Sequence, residues 1–387
     1  MVFEMRIPVL LMGQFPPPYG GLSLINKSIT EHSFNNVIFY CIKLNVGKTH
    51  ESKIQSLGLK SFNLIYAIVK AIYYKFKFKI SILYYAPSGP KAETVIRDII
   101  LLSVLRIFFN KVVFHFHSAG LSLYLQNKSS IFRNIALRAY KFPDYAIQTS
   151  SLNPNDGKYI KSKKVVIIPN GIKDEFTNYK FTRHKDVERC HILFVGLLCE
   201  SKGVMILLQA LNKVKEDRKN IKCHFIGEFS SEYFKQRVLK FCIENSLESI
   251  VEFAGVKIGH EKWKYFEKAD IFCFPTFFEH ESFGIVLLEA MMFGIPIIST
   301  LWRGIPEVVK ENQQGFLIPI NDAESLHAKL DILIRDPSLR NEMGENGRAR
   351  TSTDEHGRTR TNRDSRDSKD NGDNGGWCDV ERGWRLR

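Results

Sequence analysis

Residues 275–291 read Pro275-Thr276-Phe277-Phe278-Glu279-His280-Glu281-Ser282-Phe283-Gly284-Ile285-Val286-Leu287-Leu288-Glu289-Ala290-Met291. The apolar run 271–274 that precedes them predicts a strand that ends at Pro275. Ser282 can cap a helix that begins around Phe283, and this helix is apolar on nearly every face. A buried strand, an acidic loop and a buried helix therefore follow one another, which is the pattern of a βαβ unit.

The same alternation of short apolar runs and helical patterns extends along most of the chain. The predicted strands are 7–12, 37–42, 80–85, 112–116, 145–148, 165–168, 191–195, 222–226, 250–254, 271–274, 295–299 and 316–318. Helical patterns lie between them, for example at 92–109 and 130–140. We therefore predict an α/β protein of two Rossmann-like, doubly wound domains.

A polar stretch after Pro169-Asn170-Gly171 predicts a junction between the domains near 170–185. The predicted domains are 1–175 and 176–350. Residues 352–376 contain no aliphatic or aromatic side chain, so this stretch cannot bury enough apolar surface to offset its chain entropy. The segment 351–387 is therefore predicted to be a disordered tail.

Composition limits the compartment and the partners. The chain has 387 residues, 44% of them hydrophobic, and a formal net charge of +14, which suits anionic partners such as nucleotides, nucleic acid or acidic lipid. Its seven cysteines form no CxxC pair, which is typical of a reducing compartment. The long apolar run 282–302 is interrupted by Glu289 and by Gly294-Ile295-Pro296, so it does not predict a membrane span. We expect a cytoplasmic protein.

Glu289 is the only charged residue between Glu281 and Arg303. A carboxylate in so apolar a helix needs hydrogen-bond donors, which either ligand hydroxyls or a bracing lysine or arginine could supply. The backbone N–H groups from Ser282 through Phe283 and Gly284 to Ile285 lie at the predicted helix N-terminus, where a phosphate is favoured. Gly284 would allow that ligand to approach the backbone closely.

Glu281 and Glu289 are separated by seven residues, with Ser-Phe-Gly after the first and Glu-Ala-Met at the second. This pattern resembles the E-x7-E element of the family 4 (group 1) retaining glycosyltransferases. The resemblance implies a GT-B fold, in which two Rossmann-like domains face a central cleft. It also implies that Glu281 contacts the hydroxyls of the donor sugar and that Glu289 contacts the ribose of the nucleotide.

Three further motifs resemble the same family in the same order. The loop 15–21 ends in Gly20 and Gly21, whose backbone would meet the diphosphate or the acceptor. The loop 114–120 offers His117, and in second place His115, near the donor sugar. The loop 194–203 holds Gly196 and Lys202, which would bind the leaving diphosphate, but Leu197 stands where the family often has an arginine.

The resemblance implies a retaining transferase that moves a sugar from a UDP- or GDP-sugar to a saccharide or lipid-linked acceptor, in the synthesis of cell-surface polysaccharide or lipopolysaccharide. The implied catalytic residues are Glu281, His117 and Lys202, and the implied donor-binding residues are Gly20, Gly21, Gly196, Lys202, Ser282, Phe283, Gly284, Ile285 and Glu289. The chain contains no Asp-x-Asp motif, so neither a metal ion nor another cofactor is implied.

The stretch 53–91 contains seven lysines, three phenylalanines and five tyrosines but no acidic residue. Residues 62–80 within it could form a basic, aromatic amphipathic surface on anionic lipid, on the inner face of the membrane. They could equally form a core helix whose lysines lie on a solvated face.

Other functions remain open at this stage. A non-catalytic GT-B protein that binds nucleotide sugars or acts as a scaffold would fit Leu197 and the unusual tail. A nucleic-acid-binding protein would fit the net charge, but the sequence shows no aromatic RNA platform and no helix-turn-helix pattern, so nucleic acid is not an expected partner. A nicotinamide-dependent oxidoreductase would need the GxGxxG fingerprint, which is missing after the first strand.

Overall fold

A computed structural model describes residues 6–17, 19–44, 57–176, 189–217, 220–353 and 358–361. The chain divides into two compact units, the first ending at Pro169 and the second beginning at Asn170. This division lies slightly before the predicted boundary at 175. The segment 177–188, which belongs to the predicted junction, lies outside the described residues.

The first unit is built on a six-stranded parallel sheet in the order β2-β1-β3-β4-β5-β6. Its elements are β1 (Ile7–Gly13), α1 (Gly21–Glu31), β2 (Val37–Lys43), α2 (Leu57–Lys77), β3 (Ile82–Tyr85), α3 (Ala92–Leu105), β4 (Lys111–Phe116), α4 (Leu121–Gln126), α5 (Ser130–Tyr140), β5 (Tyr145–Gln148), α6 (Asp156–Tyr159) and β6 (Lys164–Ile167). The strands read as apolar runs because helices cover a parallel sheet. Leu10, Leu83 and Phe114 are fully buried in its core.

The second unit contains a six-stranded parallel sheet in the order β10-β9-β8-β11-β12-β13. Its elements are β7 (Ile172–Lys173), β8 (Cys190–Val195), α7 (Val204–Asp217), β9 (Ile221–Ile226), α8 (Glu232–Glu244), β10 (Val251–Gly255), α9 (His260–Lys268), β11 (Ile271–Phe274), α10 (Ile285–Met292), β12 (Ile297–Thr300), α11 (Ile305–Val308), β13 (Gly315–Ile318), α12 (Ala323–Arg335), α13 (Pro337–Arg350), β14 (Thr351–Thr353) and β15 (Arg358–Thr361). Counted from β8, the strand order is the Rossmann order 3-2-1-4-5-6.

Each predicted strand corresponds to an observed one, with ends that differ by at most about two residues. The helix predicted at 92–109 ends earlier, at Leu105, and the helix at 130–140 is confirmed. The two doubly wound sheets confirm the predicted fold class.

The start of helix α10 corrects one prediction. The helix begins at Ile285 and not around Phe283, and its N-cap residue is Gly284 and not Ser282. Gly284 has a left-handed backbone conformation with φ of 75°, which delays the first helical turn. Ser282 and Phe283 are instead buried in the loop before the helix.

Part of the predicted disordered tail also differs in the structure. Strands β14 and β15 form an antiparallel pair, and β15 pairs with β7. Ladder hydrogen bonds join backbone groups, so this small sheet does not depend on the aliphatic side chains that the segment lacks. Residues 354–357 and 362–387 lie outside the described part of the chain.

Candidate functional site

The strand order of the second unit reverses between β8 and β11, which lie side by side at the centre of the sheet. In open α/β sheets, ligands bind outside the carboxyl ends of the strands at such a point. The loop after β8 carries Gly196 and Lys202, and the loop after β11 carries Glu281 through Gly284. Topology therefore brings two predicted motifs to one place.

Lys202 and Glu281 form an ion pair across these two loops. The Lys202 Nζ lies 2.5 Å from the Glu281 Oε2, and the side chains are only 16% and 11% exposed. The same ammonium lies 5.1 Å from the ring centre of Phe274 and 4.7 Å from that of Phe278. A cation is thus held between a carboxylate and two aromatic rings, with little access for water.

Backbone contacts fix the position of Lys202. A 3₁₀ turn over Glu200–Lys202 ends at Gly203, whose φ is 79°. A Cβ atom at Gly203 would collide with the carbonyl oxygen of Pro275, so only glycine allows the two loops to pack this closely. The loops are also joined by the Phe277 N–H, which donates to the Ser201 carbonyl at 2.8 Å.

Gly196 directly follows the last residue of β8. Its N–H donates to the Ile226 carbonyl at 2.9 Å. A Cβ atom added at Gly227, after the neighbouring strand β9, would collide with the Gly196 carbonyl oxygen. Leu197 follows with 37% of its surface exposed. The chain leaves the sheet at Gly196, and Leu197 brings no charge to the loop that follows.

The start of α10 offers backbone donors next to this ion pair in sequence. Gly284 brings no capping side chain to the first helical N–H groups, since it has none. A helix leaves these groups without partners inside the helix, and they favour an anion. The predicted phosphate contact can therefore come from the backbone after Gly284, two residues later than the capping prediction required.

Glu289 lies in the buried part of α10 and pairs with a lysine. The Lys262 Nζ, on α9, lies 2.6 Å from the Glu289 Oε1, with side chains 14% and 6% exposed. Lys262 also lies 4.0 Å from the ring centre of Trp263. The bracing partner that the sequence left open is therefore present on one carboxylate oxygen.

The second oxygen of the same carboxylate behaves differently. The Glu289 Oε2 is buried and has no hydrogen-bond partner within the described residues. A buried acceptor without a partner costs about 1–3 kcal/mol. That cost is recovered if a ligand hydroxyl donates to it. Bracing by Lys262 and ligand binding are thus compatible, since each uses its own oxygen.

Lys262 is the site residue that sequence reasoning missed. Helix α9 carries many charged side chains, so the pattern predicts a surface lysine at 262. The available signal was the isolated carboxylate of Glu289, which called for a cation somewhere in the chain. Only the packing of α9 beside α10 identifies which lysine supplies it.

The first unit places its predicted residues at the carboxyl ends of its own strands. Gly20 caps α1 after β1, and its N–H donates to the Ser23 Oγ at 3.0 Å. Gly20 and Gly21 are exposed, and a Cβ atom at Gly20 would meet nothing within 4 Å. This loop is therefore open to a ligand, although close packing does not require a glycine at position 20.

His115 and His117 lie together at the end of β4. Both are buried, and their ring centres are 3.8 Å apart. The His115 Nδ1 is hydrogen-bonded to the Tyr84 hydroxyl. Burial, and then the charge of His117, lower the pKa of His115 well below its ordinary value. His115 is therefore neutral at physiological pH.

Metal-binding clusters and membrane-spanning helices are two further features that bear on function. Within the described ranges, no group of three or more His, Cys, Asp or Glu side chains could hold a metal ion. No helix in the described part of the chain is long and apolar enough to cross a membrane.

Comparison with known sequences identifies relatives of this chain. Residues 175–350 match the family model "Glycosyl transferases group 1". The chain is 35% identical over 144 residues to WcaL of Escherichia coli (strain K12), named as a colanic acid biosynthesis glycosyltransferase, covering 36% of this chain and 34% of that protein. It is 27% identical over 203 residues to the capsular polysaccharide biosynthesis glycosyltransferase CapM of Staphylococcus aureus, covering 49% and 51%. The chain thus spans between about a third and a half of the length of these relatives.

Comparison with solved structures concerns the fold of the chain. The Anabaena protein Alr3699/HepE, in complex with UDP, superposes with a TM-score of 0.63 at 16% identity, over 89% of this chain and 94% of that one. Sucrose-phosphate synthase from Thermosynechococcus elongatus gives a TM-score of 0.67 at 18% identity over the same shares. The fold is therefore GT-B, and the similarity of residues 175–350 is to the glycosyl transferases group 1.

Proposed function

We propose that the chain is a retaining glycosyltransferase that transfers a sugar from a nucleotide diphosphate to a saccharide or lipid-linked acceptor, in the synthesis of cell-surface polysaccharide or lipopolysaccharide. The observation that carries this proposal is the shielded Lys202–Glu281 pair at the point where the strand order reverses. The Lys202 ammonium and the Glu281 carboxylate lie side by side there, which suits the diphosphate and the sugar hydroxyls of a sugar nucleotide. WcaL and CapM, both named for polysaccharide synthesis, support this assignment.

Transfer requires that the bond between the anomeric carbon and the departing phosphate oxygen breaks. Negative charge then grows on the diphosphate, and preorganised donors stabilise it without having to move. In this proposal Lys202, the loop at Gly196 and the N–H groups that follow Gly284 would supply that stabilisation, and the family resemblance assigns the backbone of Gly20 and Gly21 to the diphosphate or the acceptor. Glu281 would exchange its contact with Lys202 for the hydroxyls of the donor sugar.

The acceptor oxygen then bonds to the anomeric carbon and its proton passes to the departing phosphate oxygen. Attack on the face that the diphosphate leaves gives retention and needs no side-chain nucleophile. His117 would orient the sugar, and the neutral His115 beside it would hold the His117 ring in place. The role of His117 is the one that the family resemblance implies.

The nucleotide would be held at Glu289. Its Oε2 is buried without a partner in the described structure, while Lys262 pairs with Oε1. A ribose hydroxyl would complete the hydrogen bonding of this carboxylate. The Anabaena HepE crystals contain UDP and, in another crystal, UDP-glucose, which supports a UDP- or GDP-sugar as the donor for this chain.

Thermal unfolding with a panel of UDP- and GDP-sugars tests the donor site. A ligand that binds only the folded state raises Tm by an amount that grows with the logarithm of its concentration relative to Kd. We expect a shift with one nucleotide class, lost in Glu289→Ala and kept in Glu261→Ala, which removes an exposed glutamate from α9. The absence of a shift with every nucleotide would contradict the proposal.

A second candidate function rests on Leu197. An exposed leucine in the phosphate loop removes a cationic contact that the family often has, which would fit a nucleotide-sugar-binding scaffold without activity. Hydrolysis or transfer from the donor, lost in Glu281→Gln, would exclude the scaffold. Nucleotide binding without any turnover would favour it.

A further inference from the structure

Helix α2 is apolar on two opposite faces. Its inner face packs on the core of the first unit through Ala67 and Ala71, which are buried, and through Leu64, Ile68 and Ile72, which are partly buried. These contacts are enough to hold the helix on the sheet. An amphipathic helix of a globular protein would present polar side chains on its other face.

The outer face of α2 carries an exposed apolar stripe instead. Its members are 53% to 67% exposed and recur at spacings of three and four residues, so they line one side of the helix. They are Phe62, Ile65, Tyr66, Val69, Tyr73 and Phe76. Near the end of the stripe, the ring centres of Phe76 and Phe108 are 6.3 Å apart. Ile107, next to Phe108 in the chain, is 79% exposed. A continuous apolar surface of this kind marks an interaction site.

The charged side chains of the segment 53–91, which carries the stripe, are all of one sign. The Lys70 ammonium lies 5.7 Å from the Tyr66 ring centre, and the Lys77 ammonium lies 5.2 Å from that of Tyr73. The sequence from 53 to 91 contains no Asp or Glu. The stripe is therefore bordered by lysines without any acidic side chain of its own segment to neutralise them.

We propose that the α2 stripe docks on an anionic lipid bilayer. Aromatic and aliphatic side chains on one face, with lysines at its edge, are what a helix lying in the membrane interface requires. The rings would enter the boundary between headgroups and acyl chains, while Lys70 and Lys77 would contact lipid phosphates. The binding would be peripheral, and it would need no nucleotide sugar.

A second copy of the chain is a less favourable occupant. Two stripes with spacings of three and four could pair as helices do in a coiled coil. That pairing would bring Lys70 and Lys77 of both copies together, without acidic partners in the segment 53–91. The repulsion that opposes such a dimer becomes attraction on a bilayer of anionic lipid.

Co-sedimentation with vesicles tests this surface. We expect the full chain to bind vesicles of phosphatidylglycerol and phosphatidylcholine, and much less to bind phosphatidylcholine alone. The triple variant Phe62→Ser, Val69→Ser, Phe76→Ser should bind at least about tenfold more weakly, since each substitution removes one exposed ring or branched side chain. The matched control Tyr233→Ser, Ile243→Ser, Val256→Ser removes equally exposed side chains of the second unit and should bind as wild type does.

A variant that lacks two lysines measures the electrostatic part of lipid binding. Lys70→Gln with Lys77→Gln should weaken binding roughly tenfold to thirtyfold at low salt, since each lysine near an anionic surface contributes about 1 kcal/mol. The control Lys240→Gln with Lys268→Gln removes the same charge elsewhere and should change little. Circular dichroism of each variant confirms that it is folded.

Two results would overturn the proposal. The first is the absence of binding to anionic vesicles, or equal binding by the wild type and the folded triple variant. The second is a dimer in analytical ultracentrifugation that the triple variant dissociates, without lipid binding, which would assign the stripe to a second copy. Neither result bears on nucleotide binding, so the proposed transferase activity is judged separately.

Discussion

Two of the lysine–glutamate pairs in the second unit, Lys202–Glu281 and Lys262–Glu289, are largely shielded from water. Breaking a buried pair by removing one partner leaves an uncompensated charge, which typically costs about 3–5 kcal/mol. A loss of function on mutation could therefore reflect lost stability alone. Variants of these four residues therefore need designs that separate lost stability from lost function.

Lys262 offers such a design. Lys262→Met leaves the Glu289 carboxylate without its cation, so we expect a lower Tm and a weaker shift with nucleotide. Adding Glu289→Gln removes the unpaired charge and should recover part of the stability, but the nucleotide shift should stay low if Oε2 binds the ribose. Thermal unfolding measures both, with Lys264→Met as the control on the exposed side of α9. Recovery of the full nucleotide shift in the double variant would contradict this role of Glu289.

Lys202 should act on the chemical step. Lys202→Met removes the cation that the proposed mechanism assigns to the departing diphosphate, and loss of one such preorganised contact typically lowers kcat by about 10²- to 10³-fold. Donor turnover with a fixed acceptor measures it, and Lys268→Met, on an exposed end of α9, serves as the control. Unchanged kcat in a folded Lys202→Met variant would remove Lys202 from the proposed mechanism.

His115 makes a prediction about pH. Its pKa is well below the ordinary value in the folded chain because the ring is buried, whereas the unfolded chain takes up this proton near pH 6.5. Stability is therefore full above about pH 6.5 and falls as the pH is lowered, by up to about 1.4 kcal/mol per pH unit for this group. In His115→Gln the urea midpoint should change less between about pH 7.5 and about pH 5.5. The same pH dependence in wild type, His115→Gln and the control His327→Gln would contradict this contribution of His115 to the pH dependence of stability.

At the scale of elements, two glycines with similar backbone angles should respond differently. Gly203 and Gly255 have φ of 79° and 71°, so alanine is strained at both, typically by about 1–2 kcal/mol. A Cβ atom at Gly255 meets nothing within 4 Å, whereas at Gly203 it would collide with the Pro275 carbonyl. Gly203→Ala should therefore lower stability more than Gly255→Ala and should also lower turnover, since it displaces the loop that holds Lys202. Equal effects in chemical denaturation and in kcat would show that the loop contact is not needed.

Element boundaries show where local sequence reasoning has limits. The strands follow from apolar runs flanked by glycine and proline, and the sequence predicted them well. The predicted first turn of α10 was wrong. Ser282 is a good capping residue by type, but it is buried, and the left-handed Gly284 moves the start of the helix to Ile285. A backbone conformation forced by packing between loops is not encoded in local preference.

At the scale of the whole molecule, the α2 surface and the donor site belong to different units but would serve one reaction if the acceptor is lipid-linked. We expect anionic vesicles that carry such an acceptor to raise the transfer rate of wild type. The triple variant on the α2 stripe should lose this increase while its donor hydrolysis without acceptor stays unchanged. Tyr233→Ser with Ile243→Ser is the control, since both side chains are exposed on the second unit. Equal stimulation of all three proteins would mean that the stripe does not deliver the enzyme to its acceptor.

The amino-acid sequence was enough to predict the alternation of strands and helices, the two doubly wound sheets and the motifs around Lys202, Glu281 and Glu289. These properties are carried by periodicity and by short spacings along the chain, so they can be read without coordinates. Tertiary structure alone decided the strand order, which puts the loops after β8 and β11 side by side, and it chose Lys262 as the partner of Glu289. It also decided that α2 leaves a second apolar face exposed, because burial depends on which residues distant in sequence pack against a helix, and no local pattern contains that information.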